Sequence, residues 1–332
     1  MKNLTAVDIG FNQVKGTSAA GAVADFPSII GTPFKESFAR DEAKKARLVI
    51  TLPDGQSWPV GMTALEQSDY ATGRQDSEWV MGNSWYVLFC AALSELHKGN
   101  VNTNLVSGLP LEDWEPLAEK LEGRLIGAHR FKRNGGRWQT VTVDDALVIT
   151  QGYGALVNEA LADSGRILTN VFSQGTVAIA DIGGKTCNLL VTKDMDVVGR
   201  WTRGDGLGLL KALKNIARDI HREHSTINPK PREVATWLST GVFEVGGESI
   251  DITPFSRPHL APLVDQVLNL LSETWSEPGR FSATLLVGGG SVILGNELKQ
   301  RMQNVYPNVT IASDARFANV NGYLKFAKDT WR

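Results

Sequence analysis

Cysteine is almost absent. Cys90 and Cys187 are the only two in 332 residues, and both stand in apolar surroundings, so they read as small core residues of a protein kept in a reducing compartment, the cytoplasm, and not as a disulfide. Long apolar runs are missing too. No stretch approaches the roughly 18 consecutive apolar residues of a membrane-spanning helix, and the start Met1-Lys2-Asn3-Leu4-Thr5 lacks the apolar core of a secretory signal, so no membrane partner is expected. Neither charge is in excess. Thirty-four Lys and Arg face 36 Asp and Glu, a net charge of −2, and no global basic surface advertises direct nucleic-acid binding. Of the five histidines, His221 and His224 have a spacing that can bind metal on a helix, but no third ligand of the right kind is near.

What is present begins with length. The chain is too long for one ordinary core and suits two domains of about 150 residues each. Its organising stretch is Val177-Ala178-Ile179-Ala180-Asp181-Ile182-Gly183-Gly184-Lys185-Thr186-Cys187-Asn188-Leu189-Leu190-Val191. Two apolar, β-branched runs flank an Asp and two glycines, which predicts a strand, a tight turn and a returning strand. Such a turn can bring backbone N–H groups close to phosphate oxygens, while the carboxylate holds hydrated Mg²⁺ against them. A Gly-Gly hairpin in an ordinary sheet explains the stretch equally well by itself. However, Leu4-Thr5-Ala6-Val7-Asp8-Ile9-Gly10-Phe11-Asn12-Gln13-Val14-Lys15-Gly16 repeats the pattern, with its aspartate 173 positions earlier (181 − 8). About half the chain separates them, so duplicated halves are expected, each presenting a phosphate hairpin, with the ligand between them.

Between the hairpins, residues 48–52 and 57–60 predict a small hairpin around Pro53-Asp54-Gly55-Gln56, within an irregular, charged stretch that includes Lys44 and Lys45. Helices are expected over 84–98 and 114–126, a buried strand over 104–109, and an Asn-Gly hairpin over 129–141. The basic residues Arg130, Lys132, Arg133 and Arg137 of that hairpin fit an anionic partner or a solvated turn. Ala146–Thr150 leads into a helix expected to cross between the halves, and Gln151 at the junction either orients a water on a phosphate or lies exposed at the helix start. Further on, Gly204 and Gly206 open a glycine-rich turn before a helix at 209–223, and 260–275 is helical. Thr284–Val287, Gly288-Gly289-Gly290 and Ser291–Leu294 read as strand, bare turn and helix start, where a nucleobase or ribose could pack. A last helix covers Phe317–Phe326.

Taken in order, the Asp-Ile-Gly hairpin, the Gln-headed helix, the Asp-Ile-Gly-Gly hairpin, the strand with three glycines and the closing Ala318-Asn319-Val320-Asn321-Gly322 resemble the actin-fold ATPases. The resemblance is to the bacterial actin-like branch, the ParM/StbA plasmid-segregation family, and its motifs span positions 8 to 326. It implies an α/β fold of two duplicated ribonuclease H-like (actin-fold) domains with a nucleotide cleft between them, each with a small inserted subdomain. The first domain would be 1–160, with an insertion at about 32–100 and the C-terminal helix 317–332 returning to it. The second would be 161–316, with an insertion at about 216–278.

The resemblance also implies site residues. Asp8, Gly10, Asn12 and Lys15 would form the first phosphate loop, and Asp181, Gly183, Gly184, Lys185 and Thr186 the second. Asp8 and Asp181 would hold Mg²⁺ through water, Gln151 would orient the attacking water, Gly288, Gly289 and Gly290 would lie against the nucleoside, and Gly204 and Gly206 would border the nucleotide. The implied cofactors are ATP or GTP and Mg²⁺. The implied activity is hydrolysis coupled to head-to-tail polymerisation of the protein with itself, serving plasmid or DNA segregation through a DNA-bound adaptor protein. Asn188 stands where many of the family have Asp, and Asn12 and Gln13 replace the usual Ser/Thr or Gly, which implies slow hydrolysis or loose nucleotide choice. Two other readings stay open: an actin-fold small-molecule kinase, and a nucleotide-dependent scaffold that does not hydrolyse. A DnaK-type chaperone would need a substrate-binding domain after the ATPase, which is not found before Arg332.

Overall fold

Eight strands make the first sheet: β1 (Leu4–Ile9), β2 (Gln13–Ser18) and β3 (Val23–Pro27), then, past the two-residue β4 (Ile30–Gly31), β5 (Val49–Thr51) and β6 (Ser57–Pro59), and, past β7 (Ala71–Thr72), β8 (Val101–Leu109), β9 (Gly127–Arg133) and β10 (Trp138–Thr150). Their order is β3-β2-β1-β8-β10-β9-β5-β6, while β4 and β7 pair separately. This computed structural model describes residues 3–34, 47–67, 71–72 and 77–332, and Lys44 and Lys45 of the expected insertion lie outside them. The chain divides into two compact units, Met1–Ile167 with Asn319–Arg332, and Leu168–Ala318.

In the first unit, β1 pairs antiparallel with β2 and parallel with β8, and β8 pairs parallel with β10. β1 is buried along its whole length, as expected of a central strand with neighbours on both edges. Helices Asn83–Leu96 and Leu111–Leu125 pack on the sheet. The former is apolar nearly all round and buried, Cys90 included, whereas the latter buries a stripe of Leu117, Leu121 and Leu125. Glu112 and Asp113 in its first turn and Arg124 in its last complement its dipole. Arg124 also donates to the carbonyls of Val80 (2.9 Å) and Gly82 (3.0 Å), tying the two helices' surroundings together.

Two histidines in this unit are buried. His97 lies within hydrogen-bond distance of Thr5 (Nε2 to Oγ1, 2.8 Å). His129 Nε2–H donates to the Leu125 carbonyl (2.7 Å), which leaves its Nδ1 to accept from the Tyr86 hydroxyl (3.3 Å). Burial holds both imidazoles below their ordinary pKa of 6.5, foremost by desolvation. The unfolded chain therefore binds more protons than the native one, so stability falls as pH drops below about 6.5 and towards the folded values. Melting curves between about pH 7.5 and 5 should show this acid-side loss, and it should be shallower in His97→Gln. Equal slopes would mean that His97 is not a source.

The second unit repeats the plan. β11 (Thr176–Ile182) and β12 (Cys187–Lys193) form an antiparallel hairpin, with β13 (Asp196–Val197) and β14 (Arg203–Asp205) both on β12. After a separate ribbon of β15 (Val242–Val245) and β16 (Glu248–Asp251), β17 (Ala283–Val287) joins parallel to β11, and β18 (Val309–Ile311) parallel to β17. Helix Leu209–Glu223 buries Leu209, Ala212, Leu213, Ile216, Ala217 and Ile220, a 3.6-residue period facing one core. Helices Thr253–Thr274 and Gly289–Met302 complete that core.

Some expectations needed revision. The 13-residue β10 runs straight through what the sequence suggests are two segments, with a bulge between Val143 and Asp145. The helix expected from Leu260 begins at Thr253, because Pro254, Pro258 and Pro262 fall four apart on one exposed face and their missing N–H groups leave the buried face intact. The helix after Gln151, Tyr153–Ala160, lies wholly in the first unit, and the chain passes to the second only at Leu168. Among the described residues no helix is long and apolar enough to cross a membrane.

Candidate functional site

Asp8 is the next-to-last residue of β1, and its cross-strand partner is Lys15. The two hairpins can be superposed by register alone. In the first, the N–H of Gly10 closes the turn on the carbonyl of Gln13 (3.0 Å), and in the second the N–H of Gly183 closes on Thr186 (2.8 Å). Asp8 opposes Lys15 and Asp181 opposes Asn188. Each pair of equivalent positions keeps the offset of the two aspartates. A Cβ on Gly10 or Gly183 would lie 3.2 or 3.1 Å from the carbonyl oxygen that closes its turn, which is the local reason for glycine there.

Chemistry at the first turn gathers on Asp8, which is 4% exposed. Its Oδ1 accepts from Gln151 Nε2 (2.9 Å), and Lys15 Nζ stands 3.9 Å from Oδ2. Gln151 comes from the far end of β10, where its N–H donates to the Leu109 carbonyl at the end of β8 (2.8 Å). It occupies a turn ahead of the helix and is half-buried, so it is not a solvent-facing helix start. Gln151 is thus brought, from 143 positions away, to the Asp8–Lys15 pair within the first unit. The turn itself is braced by Ser28, whose hydroxyl donates to the Gly10 carbonyl (2.6 Å) and whose N–H donates to Asn12 (3.1 Å). Gln13 points away from this group, donating to Asp25 (2.7 Å).

At the second turn, Asp181 is 5% exposed and Asn188 is buried opposite it. The carbonyls of Gly183 and Gly184 accept from the first N–H groups of helix Leu209–Glu223, those of Leu209 (3.2 Å) and Leu210 (2.7 Å), satisfying donors that a helix start leaves open. This docking needs Gly208, where a Cβ would meet the Gly184 and Lys185 backbone. Gly204 of β14 pairs with Asn188 of β12, and a Cβ on Gly206 would meet nothing within 4 Å. Cys187 lies beneath the turn, and burial, then the Asp181 and Asp205 carboxylates, push its thiol far above the usual range, so it is inert.

The three glycines after β17 divide by role. Gly288 has φ 86°, and a Cβ there would press on Asp181 Oδ1 and the Ile182 carbonyl, while one on Gly290 would press on Ile182. These two let the start of helix Gly289–Met302 pack on the end of β11. Gly289 alone faces open space. The two histidines spaced i, i+3 have other partners: His221 Nδ1 donates to the Ile227 carbonyl (2.6 Å), and His224 packs edge-on against Phe243. Among the described residues no group of three or more His, Cys, Asp or Glu could hold a metal ion by itself, so a cation near Asp8 or Asp181 would need further oxygen ligands such as phosphate and water.

Residues 6–154 match the family described as actin like proteins N terminal domain, and residues 179–300 match the archaeal actin homologue MreB-like C-terminal domain. Two actin-related domain families thus match successive parts of the chain, and its fold is the actin fold. No curated protein sequence matches it, but solved structures with the actin fold do along its whole length. The actin-like protein Alp7A superposes with TM-score 0.81 at 17% identity over 100% of this chain and 97% of that one. The archaeal actin homologue Ta0583 in complex with ADP gives 0.80 at 20% identity over 99% of both chains. A protomer of a 15-stranded ParM filament from Clostridium botulinum gives 0.77 at 21% identity over 98% of this chain and 99% of that one.

In this actin-like chain the residues that sequence reasoning missed are those that hold the site from behind. Asn319 Oδ1 accepts from the N–H groups of Gly152 (2.9 Å) and Ala155 (3.1 Å), and the Tyr323 ring fills the space that Cβ atoms on Gly108 and Gly154 would need. Asn319 and Gly322 belong to the closing motif, but nothing local marks them as partners of a turn 167 positions away.

Proposed function

We propose that this protein is a Mg²⁺-dependent ATPase, or GTPase, that assembles head to tail into filaments in the cytoplasm and moves plasmid or other DNA through a DNA-bound adaptor. The observation that carries the reading is the pair of hairpins. Each has a buried aspartate at a strand end and a glycine turn closed by the same hydrogen bond, one per domain. The donor set fits a nucleoside triphosphate: carboxylates for a hydrated cation, the ammonium groups of Lys15 and Lys185 for phosphate, and bare backbone at Gly206 and Gly289 where a Cβ would meet open space. Among the similar structures, Ta0583 is in complex with ADP, a Bacillus thuringiensis ParM carries ATP, and the Clostridium botulinum ParM is a filament.

In this reading Asp8 and Asp181 would hold a hydrated Mg²⁺, which would offset phosphate charge. Lys15 and the turn at Gly10 and Asn12 take one set of phosphate oxygens, and Gly183, Gly184, Lys185 and Thr186 another. Gln151 releases Asp8 and turns its amide to the attacking water, a role of position more than of proton transfer. Asn188 offers an amide and no second carboxylate, which fits slow turnover.

Phosphate release measured at a series of protein concentrations tests the reading. With Mg²⁺ and ATP or GTP the rate per protomer should rise above a threshold concentration, and chelating Mg²⁺ should abolish it. A rate that stays flat with concentration, or that requires an added small hydroxyl acceptor, would replace the filament former with the kinase.

A further inference from the structure

Helix Tyr153–Ala160 has eight residues, too few to be stable by itself, and it starts without a cap of its own. The residue in the N-cap position is Gly152, at φ 86° and with no side chain to accept from the first free N–H groups. The cap comes instead from Asn319, 8% exposed, whose single Oδ1 takes both the Gly152 and the Ala155 N–H. The other end is held from the helix that carries Asn319, the closing helix Ala318–Thr330: Lys325 Nζ donates to the carbonyls of Asn158 (2.6 Å) and Leu161 (3.0 Å), where a cation also suits the helix dipole. Between these clamps the two helices meet at backbone distance, because a Cβ on Gly322 would overlap the Gly154 carbonyl.

Gln151 sits immediately before this helix. Its backbone is fixed on one side by its own N–H on Leu109, and on the other only through Gly152, the most conformationally free kind of residue, whose N–H is the one Asn319 accepts. We propose that Asn319 is a positioning residue for Gln151, holding the turn so that the glutamine amide is presented for hydrolysis. This rests on the role of Gln151 proposed above. Lys325 clamps the same helix at the end away from Gln151, so stability and positioning can be separated.

Single-turnover hydrolysis of saturating Mg-ATP by the full-length protein tests it, alongside ADP affinity and amide hydrogen exchange over residues 150–158. Asn319→Ala should slow hydrolysis about 5-fold or more, the kinetic equivalent of a lost cap, with ADP affinity within about 2-fold. Asn319→Asp keeps the acceptor and suits a helix N-terminus, so it should restore the rate. Lys325→Met should hydrolyse at nearly the wild-type rate. Should Asn319→Ala not fold, Asn319→Ser, with a shorter acceptor, should give an intermediate rate.

Asn319→Ala at the wild-type rate, or Lys325→Met slowed as much as Asn319→Ala, would overturn the positioning role while leaving the ATPase standing. A wild type that hydrolyses nothing would overturn the hydrolytic reading and the positioning role with it. Exchange at Gly152–Ala155 that does not quicken in Asn319→Ala would overturn the cap itself.

Discussion

Asp181→Ala is expected to lose Mg²⁺-dependent nucleotide binding, and turnover with it, by about 100-fold or more, roughly 2.7 kcal/mol. The carboxylate stands at the end of β11, 5% exposed, and Gly288 has been kept free of a side chain against it. Burying a charge is costly unless the surroundings use it, and Asp181 holds the position equivalent to Asp8 by hairpin register, where the proposed site would use it for the cation. Removing the side chain also opens a void beneath Gly288, so Asp181→Asn is the necessary partner variant. It keeps the shape and removes only the charge. Titration with ATP in the presence and absence of Mg²⁺, with melting curves as a control for folding, separates the two effects. ATPase activity unchanged in both variants would remove Asp181 from the site.

Gln151→Ala should behave differently, retaining nucleotide affinity within about 3-fold while hydrolysis slows 10-fold or more, about 1.4 kcal/mol of barrier. The side-chain amide donates to Asp8 at 2.9 Å, and in the proposed site that contact is not needed to hold phosphate. Loss of an interaction made only on the way to the transition state lowers kcat without raising KM. Presteady-state phosphate release after mixing with excess ATP reads the chemical step directly. Turnover equal to wild type would make Gln151 a structural brace for Asp8.

The sequence carried the hairpins well because their chemistry is local. An Asp at a strand end followed by glycine sets the turn, and the same spacing recurs with the same offset, so register, closure and the opposed pairs Asp8–Lys15 and Asp181–Asn188 follow from counting. The glycines after β17 were legible as a bare turn but not as two functions, since what Gly288 and Gly290 avoid is Asp181 and Ile182, more than a hundred positions away. Helix Pro231–Thr240 and the ribbon β15–β16, turning at Gly246-Gly247, are hard to read in the sequence because each element spans ten residues or fewer. The contacts that matter most for Gln151 were illegible for a different reason. Asp8 and Leu109 meet it, and Asn319 meets the neighbouring Gly152, only after β1, β8, β10 and the final helix are assembled, and no pattern within a window of sequence encodes that.

Filament formation driven by nucleotide is the centre of the account, and right-angle light scattering reads it most directly. Purified protein at several concentrations is mixed with Mg²⁺ and ATP, GTP, ADP or no nucleotide. The predicted result is a rise in scattering with a triphosphate only, above a critical protein concentration, decaying as phosphate is released and restored by fresh nucleotide. Scattering that stays flat in every condition and at every concentration, whether or not phosphate appears, would contradict it.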